Sequence, residues 1–214
     1  MGDDPCSKGC AHLTEIDHRV ANHFALLRSY VALKSGEVRN AREEPSRLST
    51  LLLLDGIAVR LDAFASVHRS LAKDRETTEA NLADHLHNIC SAYRLSVDQK
   101  ISIEEAFEED CTLTFERLFC VTQIFAELLT NAIKYAPIGH GLCTIHARCQ
   151  KQVDGEIVLE VLDDGCGLPP AFDIENQNGL GVRLIKALAK QISASVAFVS
   201  SPHGVHARVC IPPH

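Results

Sequence analysis

Glu127-Leu128-Leu129-Thr130-Asn131-Ala132-Ile133-Lys134-Tyr135-Ala136 is the stretch from which the fold of this chain can be read. Glu127, Asn131 and Lys134 fall at i, i+4 and i+7, so they share one helical face, while Leu128, Ala132 and Ile133 take the other side. Upstream, Leu118, Val121 and Ile124 continue the apolar side, and the period predicts one long helix over 115–135. A carboxylate, an amide oxygen and an ammonium on one stripe suit a metal–phosphate ligand. Mg2+ takes hard oxygen donors and keeps several waters, and lysine brings a point charge to phosphate. A solvated helix face with internal pairing would carry the same residues, and the stripe alone does not decide between the two.

Downstream, strands are predicted over 142–150 and 157–162, joined by the turn pair Asp154-Gly155. Asp163-Asp164-Gly165-Cys166-Gly167-Leu168-Pro169 follows the second strand directly. Its glycines allow a backbone to approach a ligand closely, and a carboxylate at a strand end can accept from an amino-purine edge; ordinary Asp-Gly turn chemistry looks the same. Asn178-Gly179-Leu180-Gly181 then opens a helix predicted over 179–192. Free N–H groups and the helix dipole favour an anion at such a start, although a plain cap also fits. The segment lacks the lysine and spacing of a Walker A loop and the βαβ setting of a dinucleotide fingerprint. A final hairpin is expected over 195–200 and 205–211, around Pro202-His203-Gly204. With a helix over 82–93 and an alternating strand at 101–104, this part of the chain reads as α+β with a mostly antiparallel sheet and no internal repeat.

Before about residue 80 the pattern is purely helical. Leu13, Ile16, Val20, Phe24, Leu27 and Val31 recur at steps of three and four, and Ser35-Gly36 is expected to end that helix. A charged loop is expected over 37–47, with Pro45 and Ser46 placed to start a second helix. There Leu51, Leu54, Ala58, Leu61, Ala65, His68 and Ala72 repeat the spacing, and Leu53, Ile57, Phe64 and Leu71 widen the stripe. Two such helices predict an antiparallel hairpin, half or whole of a four-helix bundle. The expected domains are therefore a tail over 1–12, the hairpin over 13–78 and an α/β domain over 79–214. His18 stands about 200° around the first helix from Ile16, so it should face solvent while Ile16 and Val20 face the core. Glu15 lies one turn back and Asn22 one turn on. An exposed imidazole is a competent nucleophile, a neighbouring carboxylate can take its proton or orient its tautomer, and Arg19 offers a cation for a phosphoryl group. His68 lies on the apolar stripe and reads as structural. His85 and His87 are two apart on a helix and point to different faces, a poor metal pair.

Composition narrows the classes. The chain has 214 residues, 46% hydrophobic and 23% charged, as globular domains do. A net charge of −7 argues against nonspecific nucleic-acid binding as its business. No apolar run approaches the roughly 20 residues of a membrane span, and the acidic start lacks a signal-peptide core, so a cytoplasmic protein is expected. The nine cysteines then read as free, mostly buried thiols. Cys6, Cys10 and His12 lack the second ligand pair of a zinc finger.

In order and spacing, the three motif segments resemble the ATP-binding domain of the GHKL superfamily, sensor histidine kinases in particular, over 81–212. ELLTNAIKYA looks like the N-box, DDGCGLP like the first glycine box and NGLG like the second. The stretch over 168–178 is short and no obvious F-box is seen, which departs from long-lidded kinases and fits short-lidded subclasses. The segment from Glu15 to Asn22 resembles the His-Arg-x-x-Asn H-box of a subclass related to the HWE group, and Arg60-Leu61-Asp62-Ala63-Phe64-Ala65-Ser66-Val67-His68 resembles the same subclass. The resemblance implies a GHKL-type α/β sandwich. Asn131 would coordinate Mg2+, Glu127 would position the metal or activate the phosphoacceptor, Lys134 would contact phosphate and Asp163 would bind the adenine amino group. Gly165, Gly167, Gly179, Leu180 and Gly181 would shape the lid and phosphate loop. It implies an ATP-dependent protein-histidine kinase of a two-component system that phosphorylates His18 from Mg-ATP and passes the group to an aspartate of a response-regulator receiver domain. A homodimer through the hairpin is the family default and a monomer the alternative in this subclass; with so short a leading segment, either the chain is a fragment or its signal comes from a sensor or regulator on another chain. A histidine phosphotransfer protein on the same scaffold, with little or no ATP use, is the other reading; nucleotide binding separates the two. A GHKL-like serine kinase would show acid-stable phosphate instead.

Overall fold

The structure, a computed structural model, describes residues 5–41, 44–73, 79–97, 99–136, 142–168 and 180–213; for the helical residues 5–19, 22, 23, 26, 66–73 and 180 it describes the helix but not the side chains. The chain forms two compact units, Met1–Arg42 and Glu43–His214.

The first unit is the helix α1, Pro5–Asn40. It begins ahead of Leu13 and runs straight through Ser35-Gly36, where the sequence reading ends it. Nothing lies within 4 Å of a Cβ placed on Gly36, so the residue costs the helix only its propensity, about 1 kcal/mol, too little to stop a long helix. Leu27 and Tyr30 are buried, whereas Phe24 and Val31, assigned to the same inward stripe, are exposed. Lys34 is buried as well; its ammonium sits 5.6 Å from the Tyr30 ring centre and 3.2 Å from the Glu37 carboxylate.

The second unit starts with α2, Arg47–Lys73, capped as expected by Ser46, whose Oγ accepts from the Ser49 amide at 3.1 Å. After it come β1 (Glu79–Asn81), α3 (Leu82–Arg94), β2 (Ile101–Phe107), β3 (Thr112–Thr114), α4 (Phe115–Tyr135), β4 (Cys143–Lys151), β5 (Ile157–Asp163), α5 (Leu180–Gln191), β6 (Ser195–Ser201) and β7 (Gly204–Ile211). The long helix α4 has the bounds its period predicts. Five strands form one sheet in the order β2-β4-β5-β7-β6, parallel between β2 and β4 and antiparallel elsewhere, the mixed and mostly antiparallel sheet expected. Its covered face carries Ile145, Ala147, Cys149, Leu159, Val161 and Val209, packed beneath helices α3, α4 and α5. Its other face bears the cross-strand row Arg148, Glu160, Arg208, the charge-alternating pattern of a sheet with one wet side.

Strands β1 and β3 pair antiparallel in a small separate sheet that sequence reading does not find, because three residues carry no period. This sheet positions the site. Asn81 caps α3 by accepting from the Ala83 amide at 2.7 Å, and Thr114 precedes α4 directly, so both helices start from one hydrogen-bonded corner. From there α4 is buried almost all round, as the central helix of a layered core must be.

Helix α2 turns a different side to the core than its leucine pattern suggests. Leu51, Leu54 and Leu61 are exposed, and Leu52, Gly56, Val59, Arg60 and Ala63 are buried where α2 meets α3 and α4. The helix has apolar residues on two sides, and periodicity cannot tell which one faces this core. Five of the seven described cysteines are buried and all seven are free thiols, as compartment and composition suggest; Cys166 is exposed.

Candidate functional site

Three segments far apart in sequence meet at the C-terminal half of α4. Glu127 is 1% exposed, while Asn131 and Lys134, one and two turns on, are half-buried along the same side. The opening of α5 closes on Glu127: a Cβ on Gly181 would stand 2.3 Å from Glu127 Oε1. Beyond the helix, Gly165 lies against the last turn, where a Cβ would be 2.5 Å from Ala136 Cα and 2.7 Å from its carbonyl oxygen. Gly165 and Gly181 are thus glycines because backbone and carboxylate occupy the space of a side chain. Gly167 has φ +73° and packs on the Ser201 carbonyl. The neighbouring Leu168 amide donates to Ser200 Oγ at 2.7 Å, which ties the segment after β5 to β6.

Asp163 ends β5. Its Oδ1 accepts from the amides of Gly165 (3.0 Å) and Val205 (3.3 Å), and among the described residues Oδ2 has no hydrogen-bond partner. Burial pushes this carboxyl above the usual carboxylate range, against the pull of the two amides. Asp164 goes the other way. Burial also works against its charge, but the Thr144 amide donating to Oδ1 at 2.8 Å and the Cys143 thiol hold it below that range. Adjacent carboxylates are therefore differentiated: Asp164 is tied to β4, and Asp163 keeps one acceptor oxygen in a partly buried place.

Sequence reading names Arg60 only as part of a motif and gives it no role, and it passes over Tyr93 and Thr130. Arg60 Nη2 lies 3.0 Å from Glu127 Oε2, with 0% and 1% of the two side chains exposed. Arg60 Nη1 donates to the Gly56 carbonyl at 2.9 Å, and the guanidinium charge is felt at the Tyr93 hydroxyl. Thr130 Oγ1 lies 2.6 Å from the Ala126 carbonyl and 2.9 Å from Tyr93 Oη. With one proton to give, Thr130 donates to the carbonyl and accepts from the tyrosine. One polar network therefore crosses α2, α3 and α4 beneath the motif residues. The available signal was a lone arginine among the small and apolar residues Leu52, Gly56, Val59 and Ala63.

The remaining expected site residues lie elsewhere. Glu15, His18, Arg19 and Asn22 are in α1, with side chains outside the described residues, as is that of His68. Gly179 lies outside the described residues, and Leu180 opens α5 with its side chain outside them. His87 pairs with Glu105 and His85 is half-buried, its imidazole pushed below its ordinary pKa by burial. A groove of about 350 Å³ opens between α2 and α3, lined by Val59, Asp62, His85 and Asn88 among others, and none of the nucleotide-motif residues borders it. No helix among the described residues is long and apolar enough to cross a membrane.

The donor set fits a magnesium nucleotide. A carboxylate and an amide on α4 offer hard oxygens, Lys134 offers a cation, and Asp163 offers a free acceptor oxygen at a depth a purine edge could reach. One pH prediction follows. Protonating Asp163 turns an acceptor into a donor facing an amino group, so adenine-nucleotide affinity should fall on acidification at a pH above that of an ordinary carboxylate. Stability moves oppositely. A carboxyl raised in the folded state contributes stability that is full below the unfolded pKa and is lost as pH rises through the raised value. Titrating a fluorescent ATP analogue across pH checks the first effect, and Asp163→Asn should flatten it.

Comparison with known proteins gives a consistent picture. Residues 15–97 match the family described as histidine kinase, and residues 119–214 match the family of histidine kinase-, DNA gyrase B- and HSP90-like ATPases. A sensor histidine kinase, PdtaS, of Mycobacterium tuberculosis (strain CDC 1551 / Oshkosh) is 27% identical over 182 residues, covering 83% of this chain and 34% of that protein. Blue-light-activated histidine kinase 2 of Erythrobacter litoralis (strain HTCC2594) is 23% identical over 205 residues, covering 94% of this chain and 56% of that protein. The chain thus spans between about a third and a little over half the length of these relatives. Among solved structures, the histidine kinase domain of the Erythrobacter litoralis EL346 blue-light activated histidine kinase superposes with a TM-score of 0.66 at 18% identity, covering 88% of this chain and 95% of that one. The fold is shared.

Proposed function

We propose that this chain, which belongs to the histidine kinases with a GHKL-type ATP-binding domain, phosphorylates itself on His18 from Mg-ATP and passes the phosphoryl group to an aspartate of a response-regulator receiver domain. The observation that carries this is the convergence of Glu127, Gly181, Gly165 and Asp163 around one end of α4, in a chain whose first helix carries an H-box-like segment.

Asp163 Oδ2 would accept from the adenine amino group, while its Oδ1 stays held by Gly165 and Val205. Asn131 and Glu127 would hold the metal, and Lys134 would neutralise phosphate charge. When bound, Mg-ATP supplies an electrophilic phosphoryl group whose transfer passes through a loose transition state, so the protein's work is positioning and charge stabilisation. In this reading His18 would act as the nucleophile, Glu15 would take or orient its proton, Arg19 would offer a cation to the phosphoryl group, and Asn22 completes the H-box-like segment. We assign 13–78 to dimerisation and phosphoacceptance, 79–214 to catalysis and 1–12 to a leading tail. A homodimer through the helical segment is supported by exposed apolar side chains at heptad spacing, Phe24, Val31 and Val38 on α1, with Leu51, Leu54 and Leu61 on α2. The receiver docks near His18, the input comes from a sensor or regulator on another chain, and the cytoplasm is where this chemistry takes place.

Incubation with γ-labelled ATP and Mg2+ should give protein-bound label that is stable to base and lost in acid. Acid-stable label would point to a serine kinase and overturn the assignment. An absence of both labelling and nucleotide binding would favour the phosphotransfer protein.

A further inference from the structure

We infer that Arg60 is a positioning residue for Glu127, tying the carboxylate of the ATP site to the second helix and setting how far phosphoryl transfer proceeds from bound nucleotide. This rests on the kinase function proposed above and deepens it by adding a residue from outside the nucleotide-binding segments.

Both partners are fully buried, at 0% and 1% exposure, and lie 3.0 Å apart. A buried ion pair contributes little net stability, because desolvating two charges offsets their attraction, and an apolar pair would pack α2 on α4 as well. The geometry indicates what the charge does. Arg60 is itself held: Nη1 donates to Gly56 in its own helix and Nη2 to Glu127. A planar, buried guanidinium anchored through both terminal nitrogens cannot rotate without breaking these bonds. Glu127 Oε2 is therefore held toward α2, and Oε1 lies against the opening of α5, at the place a Gly181 Cβ would fill. One turn farther along α4 is Asn131, the proposed metal ligand. Arg60 thus selects one rotamer of Glu127 and aims one oxygen at the second glycine box.

The consequence is mechanical. Helix α2 belongs by sequence to the phosphoacceptor segment and packs on α4 of the nucleotide-binding segment. A shift of α2 that moves Arg60 changes the aim of Glu127, so the state of the helical segment is felt in the ATP site through a single ion pair.

The test is a double-mutant cycle on the full chain, with initial rates of labelling from γ-labelled ATP over a range of ATP concentrations and thermal melts as the check on folding. Arg60→Ala should lower kcat about 100-fold with KM for ATP within about threefold, because aim is lost while the adenine contacts remain. Arg60→Lys keeps the charge without the fork and should lower kcat about tenfold. In a Glu127→Gln background neither substitution should lower it further. If Arg60→Ala does not fold, the Arg60→Lys cycle still decides. Equal losses in both backgrounds, an unchanged or increased kcat, or a loss confined to KM would overturn the positioning role. Absence of acid-labile label in the wild type would overturn the kinase function, and this inference with it.

Discussion

His18→Ala is expected to abolish acid-labile labelling from γ-labelled ATP, a fall of more than about 1,000-fold, while leaving the affinity for a fluorescent ATP analogue unchanged. If His18 is the nucleophile, removing it removes the reaction. The second half of the expectation comes from the organisation of the chain. His18 lies in the unit Met1–Arg42, and Glu127, Asn131, Lys134, Asp163, Gly165 and Gly181 all lie in Glu43–His214. In the proposed function nucleotide binding draws on the second group, so chemistry and binding should separate. Label persisting in the variant would move the phosphoacceptor elsewhere, with His68 the first alternative to examine. Loss of nucleotide binding together with label would mean that the substitution had damaged the fold. Asn22→Ala and Glu15→Gln should slow labelling without abolishing it, since the proposed mechanism gives these residues a supporting role and no bond to phosphorus.

Gly165→Val should have the next largest effect, on both stability and binding. A Cβ here meets Ala136 Cα at 2.5 Å and its carbonyl oxygen at 2.7 Å, and both are backbone atoms at the end of α4 that cannot rotate away. Relief requires the segment after β5 to move off the helix, which breaks the Gly165 amide's bond to Asp163 Oδ1. Overpacking of this kind costs about 1–3 kcal/mol, and loss of the Asp163 geometry should weaken adenine-nucleotide affinity by more than about tenfold. Urea unfolding and nucleotide titration measure the two parts. Gly36→Ala is the control. Nothing lies within 4 Å of the added methyl and the site is helical, so the variant should be more stable by about 0.5–1 kcal/mol, with ATP affinity unaltered. If both glycine variants lost stability alike, the cause would not be the contact with Ala136.

Much of the site was legible because its chemistry is local. The stripe Glu127, Asn131, Lys134 follows from helical period, and the carboxylate at the end of β5 follows from a strand running into Asp-Gly. The glycines were read as letting the backbone approach a ligand and as shaping a lid and phosphate loop, whereas the space of a side chain is taken by the Ala136 backbone at Gly165 and by the Glu127 carboxylate at Gly181. No sequence pattern carries that distance. Arg60 was hidden for a related reason. An arginine among apolar residues reads as an interruption until its partner, 67 positions away, is seen. The exposed leucines of α2 and the exposed Phe24 and Val31 of α1 show the same limit, since a helix with apolar residues on several sides does not announce which side meets its own core.

What the sequence by itself determined is what one element's own period and composition can encode: the α+β class, the central helix Phe115–Tyr135, the strands on either side of Asp154-Gly155, the Ser46 cap and the three nucleotide motifs in order. What only the tertiary structure decided is which faces meet: α2 laid on α4 through Arg60 and Glu127, the corner of β1 and β3 from which α3 and α4 start, and the closure of Gly181 on a carboxylate. The reason is physical. Period arises from backbone geometry within a few residues, whereas pairing between distant faces is set by the balance of burial, charge and close packing, which exists only once the chain has folded.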